Sequence, residues 1–272
     1  RTSMRHLTLF ALLALLSANA PAARAALIWH WDDEFSDAEK TKLIAWVESS
    51  VNAVATYVAP FEFDIDVHFR RSDRGQAVPW ANTIRARRQG LNFHVNPAAS
   101  PQALRDDWTA YHEISHLLIP YLGREHSWFA EGFASFMQFR VMRDAGVIDD
   151  TEMRARYRSR IERAKARFDM DEMPFIDAAP MLKAKRDYPT MYWGGAIYFL
   201  RVDDRLKQSG SSVQLVLKKY LACCRVNNTR DLPGLVAQFD DLADSDAFTR
   251  EFERITSDPG FPDDRGVWDS DP

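Results

Sequence analysis

His112-Glu113-Ile114-Ser115-His116 is the stretch on which the reading of this 272-residue chain turns. Residues four apart on an α-helix stand one turn above each other, so both imidazoles face one point and can hold one Zn2+, with Glu113 projecting beside it. The surrounding pattern is helical. Leu104, Trp108, Tyr111, Leu118 and Leu122 fall on one apolar stripe, and Ala110, Ile114, Leu117 and Tyr121 on another. A helix covered on so many sides is a costly place for imidazoles without partners. Ser100-Pro101 supplies an N-cap followed by a first-turn proline, and Pro120 is a stop, so the helix is predicted from Pro101 to about Ile119.

Downstream, Trp128-Phe129-Ala130-Glu131-Gly132-Phe133-Ala134-Ser135 opens a second predicted helix, from about Ser127 to Gly146. A catalytic zinc site commonly has three protein ligands and one open position, and a carboxylate on the following helix would complete a His2Glu set. Glu131, fifteen positions beyond His116, is that carboxylate.

With these two blocks the chain resembles a gluzincin metallopeptidase of the thermolysin-like superfamily. The aromatic-x-Glu-Gly-aromatic block resembles the alanyl aminopeptidase and glycyl aminopeptidase families in particular. Tyr192-Trp193-Gly194-Gly195-Ala196 is similar to the Tyr-x-Lys-Gly-Ala stretch of those enzymes. There the tyrosine hydrogen-bonds the oxyanion of the tetrahedral intermediate, and the resemblance assigns that role to Tyr192. The expected lysine is Gly194 here, and the paired glycines would let backbone pass close to the site. Two departures stand out. The spacing from His116 to Glu131 is shorter than in the alanyl aminopeptidases, and no Gly-x-Met-Glu-Asn edge-strand motif lies upstream. The comparable place holds Gly90-Leu91-Asn92-Phe93-His94-Val95-Asn96. That motif's carboxylate grips a free amino terminus, so aminopeptidase specificity does not carry over.

The segments ahead of the motif are helix and sheet. Ser36-Asp37-Ala38-Glu39 is a capping box, followed by Leu43, Val47, Val51, Val54 and Val58 at helical spacing. Phe61, Phe63, Ile65, Val67 and Phe69 then alternate with polar residues, as do Leu91, Phe93 and Val95, with a basic loop between these two strands. Beyond Ser100 the pattern is helical. Met153, Tyr157, Ile161, Ala164 and Phe168 mark one helix, and others are predicted near 193–208, 212–224 and 234–256. Residues 257–272 read as a tail or extended strap.

Residues 1–25 read as an export signal, with Arg1-Thr2-Ser3 as extra residues ahead of Met4. Met4-Arg5-His6 is a positive start, Leu7 to Leu16 an apolar run broken only by Thr8, and Ala23-Arg24-Ala25 a small-x-small cleavage site. The run is shorter than the ~20 residues that span a bilayer, and no later segment is apolar enough to do so. Cys223 and Cys224 are adjacent and cannot join distant segments. A bridge between neighbours would close a strained ring, so they are expected as two thiols.

A formal charge of -4, from 35 basic and 39 acidic residues, lacks the basic excess that dominates phosphate-backbone binding and argues against a nucleic-acid protein. The basic run Arg154, Arg156, Arg158, Arg160, Arg163, Lys165 and Arg167 reads as a solvated helix face, or else as a docking strip for an acidic partner. His94 and His126 are expected on a polar face or loop. The expected fold is an α+β, zincin-like one. A helix and sheet front lobe (26–123) carries the zinc helix, a mostly helical rear lobe (124–256) follows, and the metal lies between them. The expected function is a zinc peptidase, periplasmic or secreted, acting on a peptide or protein. His112, His116 and Glu131 would hold Zn2+, Glu113 would take a proton from the zinc-bound water, and Tyr192 would stabilise the oxyanion. The alternatives are an exported zinc-binding module of peptidase-like build without catalysis, or a metal-free helical protein. Retention of Glu113 speaks for catalysis, because a structural site has no use for a base.

Overall fold

Leu27–Trp31 (β1) and Ile65–Arg71 (β2) pair in parallel, with the helix Asp37–Tyr57 (α1) crossing between them. The computed structural model describes residues 25–225 and 231–267. The export signal, apart from Ala25, and residues 268–272 of the tail lie outside the described residues. Helix α1 starts at the expected box: Ser36 Oγ accepts from the Glu39 amide, and the Glu39 carboxylate accepts from the Ser36 amide. Its Leu43, Val47 and Val54 are fully buried.

Two further strands, Trp80–Arg85 (β3) and Gln89–Val95 (β4), complete a four-stranded sheet of order β1-β2-β4-β3, with β3 antiparallel at one edge. The segment read as a basic loop therefore contains a strand. No residue of β3 is fully buried, so it carries no alternation of buried and exposed positions for a sequence reading to find. Val67, Phe69, Leu91 and Phe93 face inward, where Trp46 of α1 packs on Phe93 at 5.0 Å. On the outer face His30 stacks on His68 at 4.3 Å, and His94 meets Trp80 edge-on at 4.7 Å.

The helix expected over 101–119 is two, Pro101–Asp106 (α2) and Thr109–His116 (α3). Asp107 adopts an extended backbone and its carboxylate accepts from the Thr109 amide at 2.8 Å, a local bond that competes with helix continuation. Ser127–Asp144 (α4), Asp150–Arg167 (α5), Phe175–Ala184 (α6), Tyr188–Gln208 (α7) and Val213–Cys223 (α8) follow. The segment 234–256 also divides, into Leu232–Ala243 (α9) and Ala247–Ser257 (α10). Asp244 turns left-handed at the end of α9, and the Asp240 carboxylate accepts from the first amides of α10, Phe248 and Thr249, at 2.8 and 2.9 Å.

Helices α4 and α7 form the centre of the helical part, with Phe129, Phe133 and Phe136 grouped around Phe199. Residues 258–267 lie over α6 and α7, with Phe261 against Phe168 and Phe175 and the Asp263 carbonyl accepting from Arg201. One continuous apolar core runs from Phe35 to Ile255. No helix among the described residues is long and apolar enough to cross a membrane. Cys223 and Cys224 are not two thiols; they are joined to each other. Cys223 ends α8 and Cys224 leaves helical geometry as its cap, a break in the backbone that brings neighbouring sulfurs together.

Candidate metal centre and active site

Helix α3 lies between the edge strand β3 and helix α4, and its side chains meet both. His112 and His116 are 2% and 3% exposed. Their Nε2 atoms stand 3.2 and 3.4 Å from one oxygen of Glu131, which rises from the first turns of α4. One donor atom from each of the three residues falls within 4.8 Å of the others. Burial opposes the charged Glu131 carboxylate, but the charge of His116 and hydrogen bonds from both imidazoles outweigh it and hold its pKa far below the ordinary range. Burial likewise opposes protonation of His112, yet the hydrogen bond to Glu131 and the charges of Glu113 and Glu131 raise its pKa. At His116 burial prevails and the pKa falls.

His112 is oriented by a residue that the sequence reading missed. Its Nδ1 lies 2.8 Å from Oε1 of buried Gln138, which stands two turns beyond Glu131 on the same face of α4. With the amide oxygen opposite, Nδ1 carries a proton and donates, so Nε2 is the nitrogen that faces Glu131 and His116; it donates to Glu131 here and would offer its lone pair to a metal once deprotonated. The seven-residue step from Glu131 was the available signal. A Gln138→Leu variant should bind zinc about 10–100-fold more weakly, measured by competition with a chelator, because the second partner of a ligating imidazole fixes its tautomer and angle. Unchanged affinity would reduce Gln138 to a packing residue. Two imidazole nitrogens and a carboxylate converging in a buried place are the donor set that Zn2+ takes. The Nδ1 of His116 is buried with no hydrogen-bond partner among the described residues, and Nε2 is the nitrogen that ring turns toward Glu131.

Glu113 points from α3 toward β3, where Thr83 Oγ1 lies 2.7 Å from both its Oε2 and its backbone carbonyl oxygen. Thr83 is thus a positioning residue for the carboxylate. Arg85, two residues on and so on the same face of β3, reaches the His116 carbonyl oxygen at 3.4 Å. The edge strand beside α3 is therefore β3. The segment Gly90–Asn96, compared above with the Gly-x-Met-Glu-Asn motif, belongs mainly to β4, which is internal to the sheet. β3 itself carries no carboxylate.

Tyr192 lies in the second turn of α7, which begins earlier than the pattern near 193 suggested. Its ring stacks on His112 at 5.9 Å. Burial and the charges of Glu131 and Glu113 push its pKa well up, so the phenol keeps its proton and remains a donor. The structure thus brings together His112, Glu113, His116, Glu131 and Tyr192, and leaves His94 on the outer face of the sheet.

Gly132 and Gly195, one from each motif, have one explanation, the contact between α4 and α7. A Cβ on Gly132 would stand 2.3 Å from the Gly195 carbonyl carbon, and one on Gly195 would stand 2.2 Å from the Trp128 carbonyl oxygen. The two backbones touch at these positions, next to Glu131 on one helix and near Tyr192 on the other. The space beside Gly194 is filled by the ring of Phe175. Both glycines therefore serve packing, Gly195 against the backbone of α4 and Gly194 against the ring of Phe175.

No protein-family model matches the sequence, and no curated protein matches it. Among solved structures the fold is similar to that of an M1 zinc metallopeptidase from Deinococcus radiodurans. The TM-score is 0.50 at 12% identity, over 86% of this chain and 47% of that one. A two-domain M1 zinc metallopeptidase mutant bound to L-arginine aligns with a TM-score of 0.49 at 10% identity, over 85% of this chain and 46% of that one. The chain thus spans about half the length of the solved proteins it matches. At such identity the first likeness shows a shared fold of mixed helix and sheet.

Proposed function

We propose that this chain is a zinc-dependent peptidase in which Glu113 serves as the base for attack of water on a peptide bond. The observation that carries the reading is the convergence of His112, His116 and Glu131 donor atoms within 4.8 Å, with the Glu113 carboxylate beside them and not among them. His112, His116 and Glu131 would hold the Zn2+. When bound, the ion supplies a Lewis acid that acidifies water and polarises a carbonyl. Glu113 accepts a proton and later returns it to the leaving amine, held in place meanwhile by Thr83. Tyr192 keeps its phenolic proton and would donate a hydrogen bond to the oxyanion. Export is part of the same proposal and rests on the leader-like pattern of residues 4–25.

Purified protein should carry about one zinc per chain and cleave members of a diverse peptide library, read by sequencing the product termini. Zinc-free protein that takes up none on addition would sink the mechanism, and zinc without cleavage would favour a binding module. Tyr192→Phe should keep zinc and lower kcat by about a hundredfold with little change in KM, because the lost bond is made only in the transition state. Unaltered kcat would make Tyr192 a packing residue.

A further inference from the structure

Arg85 is a half-buried cation with no ion-pair partner among the described residues. Arg140 is answered by Asp203 at 3.0 Å and Arg201 by Glu251 at 2.7 Å. Among the described residues Arg85 forms no salt bridge: it touches the His116 carbonyl oxygen at 3.4 Å and lies over the Tyr121 ring at 5.7 Å. Its Nε is buried with no hydrogen-bond partner. A neighbouring cation adds to the imbalance. Arg225 donates to the Leu117 carbonyl oxygen at 3.0 Å and to Gln89 Oε1 at 3.1 Å, and it feels the charge of Arg85.

A desolvated guanidinium is unfavourable unless paired, and the carbonyls at the end of α3 offer only the partial charge of a helix terminus. Glu113 and Glu131 act on Arg85 through space, but Glu113 is held by Thr83 and Glu131 by the two histidines. The charge of this half-buried side chain is therefore left for an anion from outside the chain to answer. The guanidinium's planar fork matches a carboxylate. The position is suitable too, since β3 is the sheet edge and a peptide laid along it would pass Thr83 and then Arg85.

We propose that Arg85 determines specificity, and that the substrate bears a carboxylate, at its C-terminus or on an acidic side chain, that docks on its guanidinium. The proposal rests on the peptidase reading of the cleft and reverses the charge preference of an amino-terminus-gripping edge strand.

The test measures binding to the full chain, so that it does not depend on turnover. Zinc-loaded Glu113→Gln protein would be titrated calorimetrically with acetyl-pentaalanine as free acid and as amide. In a second arm, acetylated pentapeptide amides would carry one glutamate or one glutamine at each position in turn. The carboxylate member of one arm should bind about tenfold tighter than its amide counterpart, and the arm that shows it identifies the source of the carboxylate. Arg85→Gln should bring the ratio near one, and Arg85→Lys, which keeps charge but not the fork, should leave an intermediate ratio.

If Arg85→Gln does not fold, the drop in ratio from wild-type arginine to lysine decides. Zinc-free protein should show the same preference, because a carboxylate held by the metal would lose it. The proposal is overturned by equal or undetectable binding of acid and amide forms in both arms, by a preference that survives Arg85→Gln, or by one that vanishes with the zinc. Hydrolysis without carboxylate preference refutes this inference alone, whereas the preference without hydrolysis by wild-type protein refutes the peptidase reading alone.

Discussion

Glu113→Gln is expected to retain zinc and fold while peptide hydrolysis falls by about two to four orders of magnitude, the usual range for loss of a general acid-base group. The substitution preserves shape, and the amide oxygen can still accept from Thr83 Oγ1, which lies 2.7 Å from the carboxylate in the native protein. The converging donors belong to His112, His116 and Glu131, so the metal set is left intact. What disappears is the basic oxygen. Metal content by elemental analysis and kcat/KM on one cleaved peptide, measured on the same preparation, check both halves. Undiminished cleavage would place the base elsewhere. Loss of zinc along with activity would show that Glu113 supports the metal site directly, against the reading given above.

The second large effect is expected at a residue with no chemistry of its own. Gly195→Ala should destabilise the protein by about 3 kcal/mol or more, since its Cβ would stand 2.2 Å from the Trp128 carbonyl oxygen and 3.1 Å from the Gly132 Cα. Neither obstacle is a flexible side chain. Helices α4 and α7 would have to part, loosening the contacts of Phe129 with Phe199 and of Trp128 with Tyr198. Helix propensity alone would favour alanine by about 1 kcal/mol, so the sign of the effect isolates the packing. In a chain of this size the melting temperature should drop by roughly 6–12 °C. Gly75→Ala, where a Cβ would meet nothing within 4 Å, is the control and should change little. Zinc affinity should weaken in Gly195→Ala as well, because Glu131 rides on α4 beside the contact. An unchanged melting temperature would show that the helices separate freely and that the motif glycines have some other purpose.

Local pattern made much of this fold legible. The capping box at Ser36 and Glu39 marks the start of α1, and Ser127 opens α4 where the pattern places it. The spacing of Met153, Tyr157, Ile161 and Ala164 traces the buried face of α5. These features depend on neighbours in the chain, and periodicity records them. Where a competing local bond intervenes, as from Asp107 to the Thr109 amide, the same periodicity runs straight through a break. The tryptophan-bearing β1 and the half-buried β3 escaped because their partners lie 38 and up to 14 positions away respectively, and neither strand alternates cleanly between buried and exposed residues.

The candidate site divides along the same line. The sequence by itself determined that His112 and His116 share a helix face, with Glu113 beside them, because a four-residue step is one turn wherever that helix lies. Only the tertiary structure decided what surrounds them. It set Gln138 against the His112 ring, Thr83 against Glu113 and Arg85 near the carboxylates, and let α4 touch α7 at Gly132 and Gly195. Those contacts join elements separated along the chain, and their distances follow from how a sheet edge and two helices pack, which no local spacing encodes.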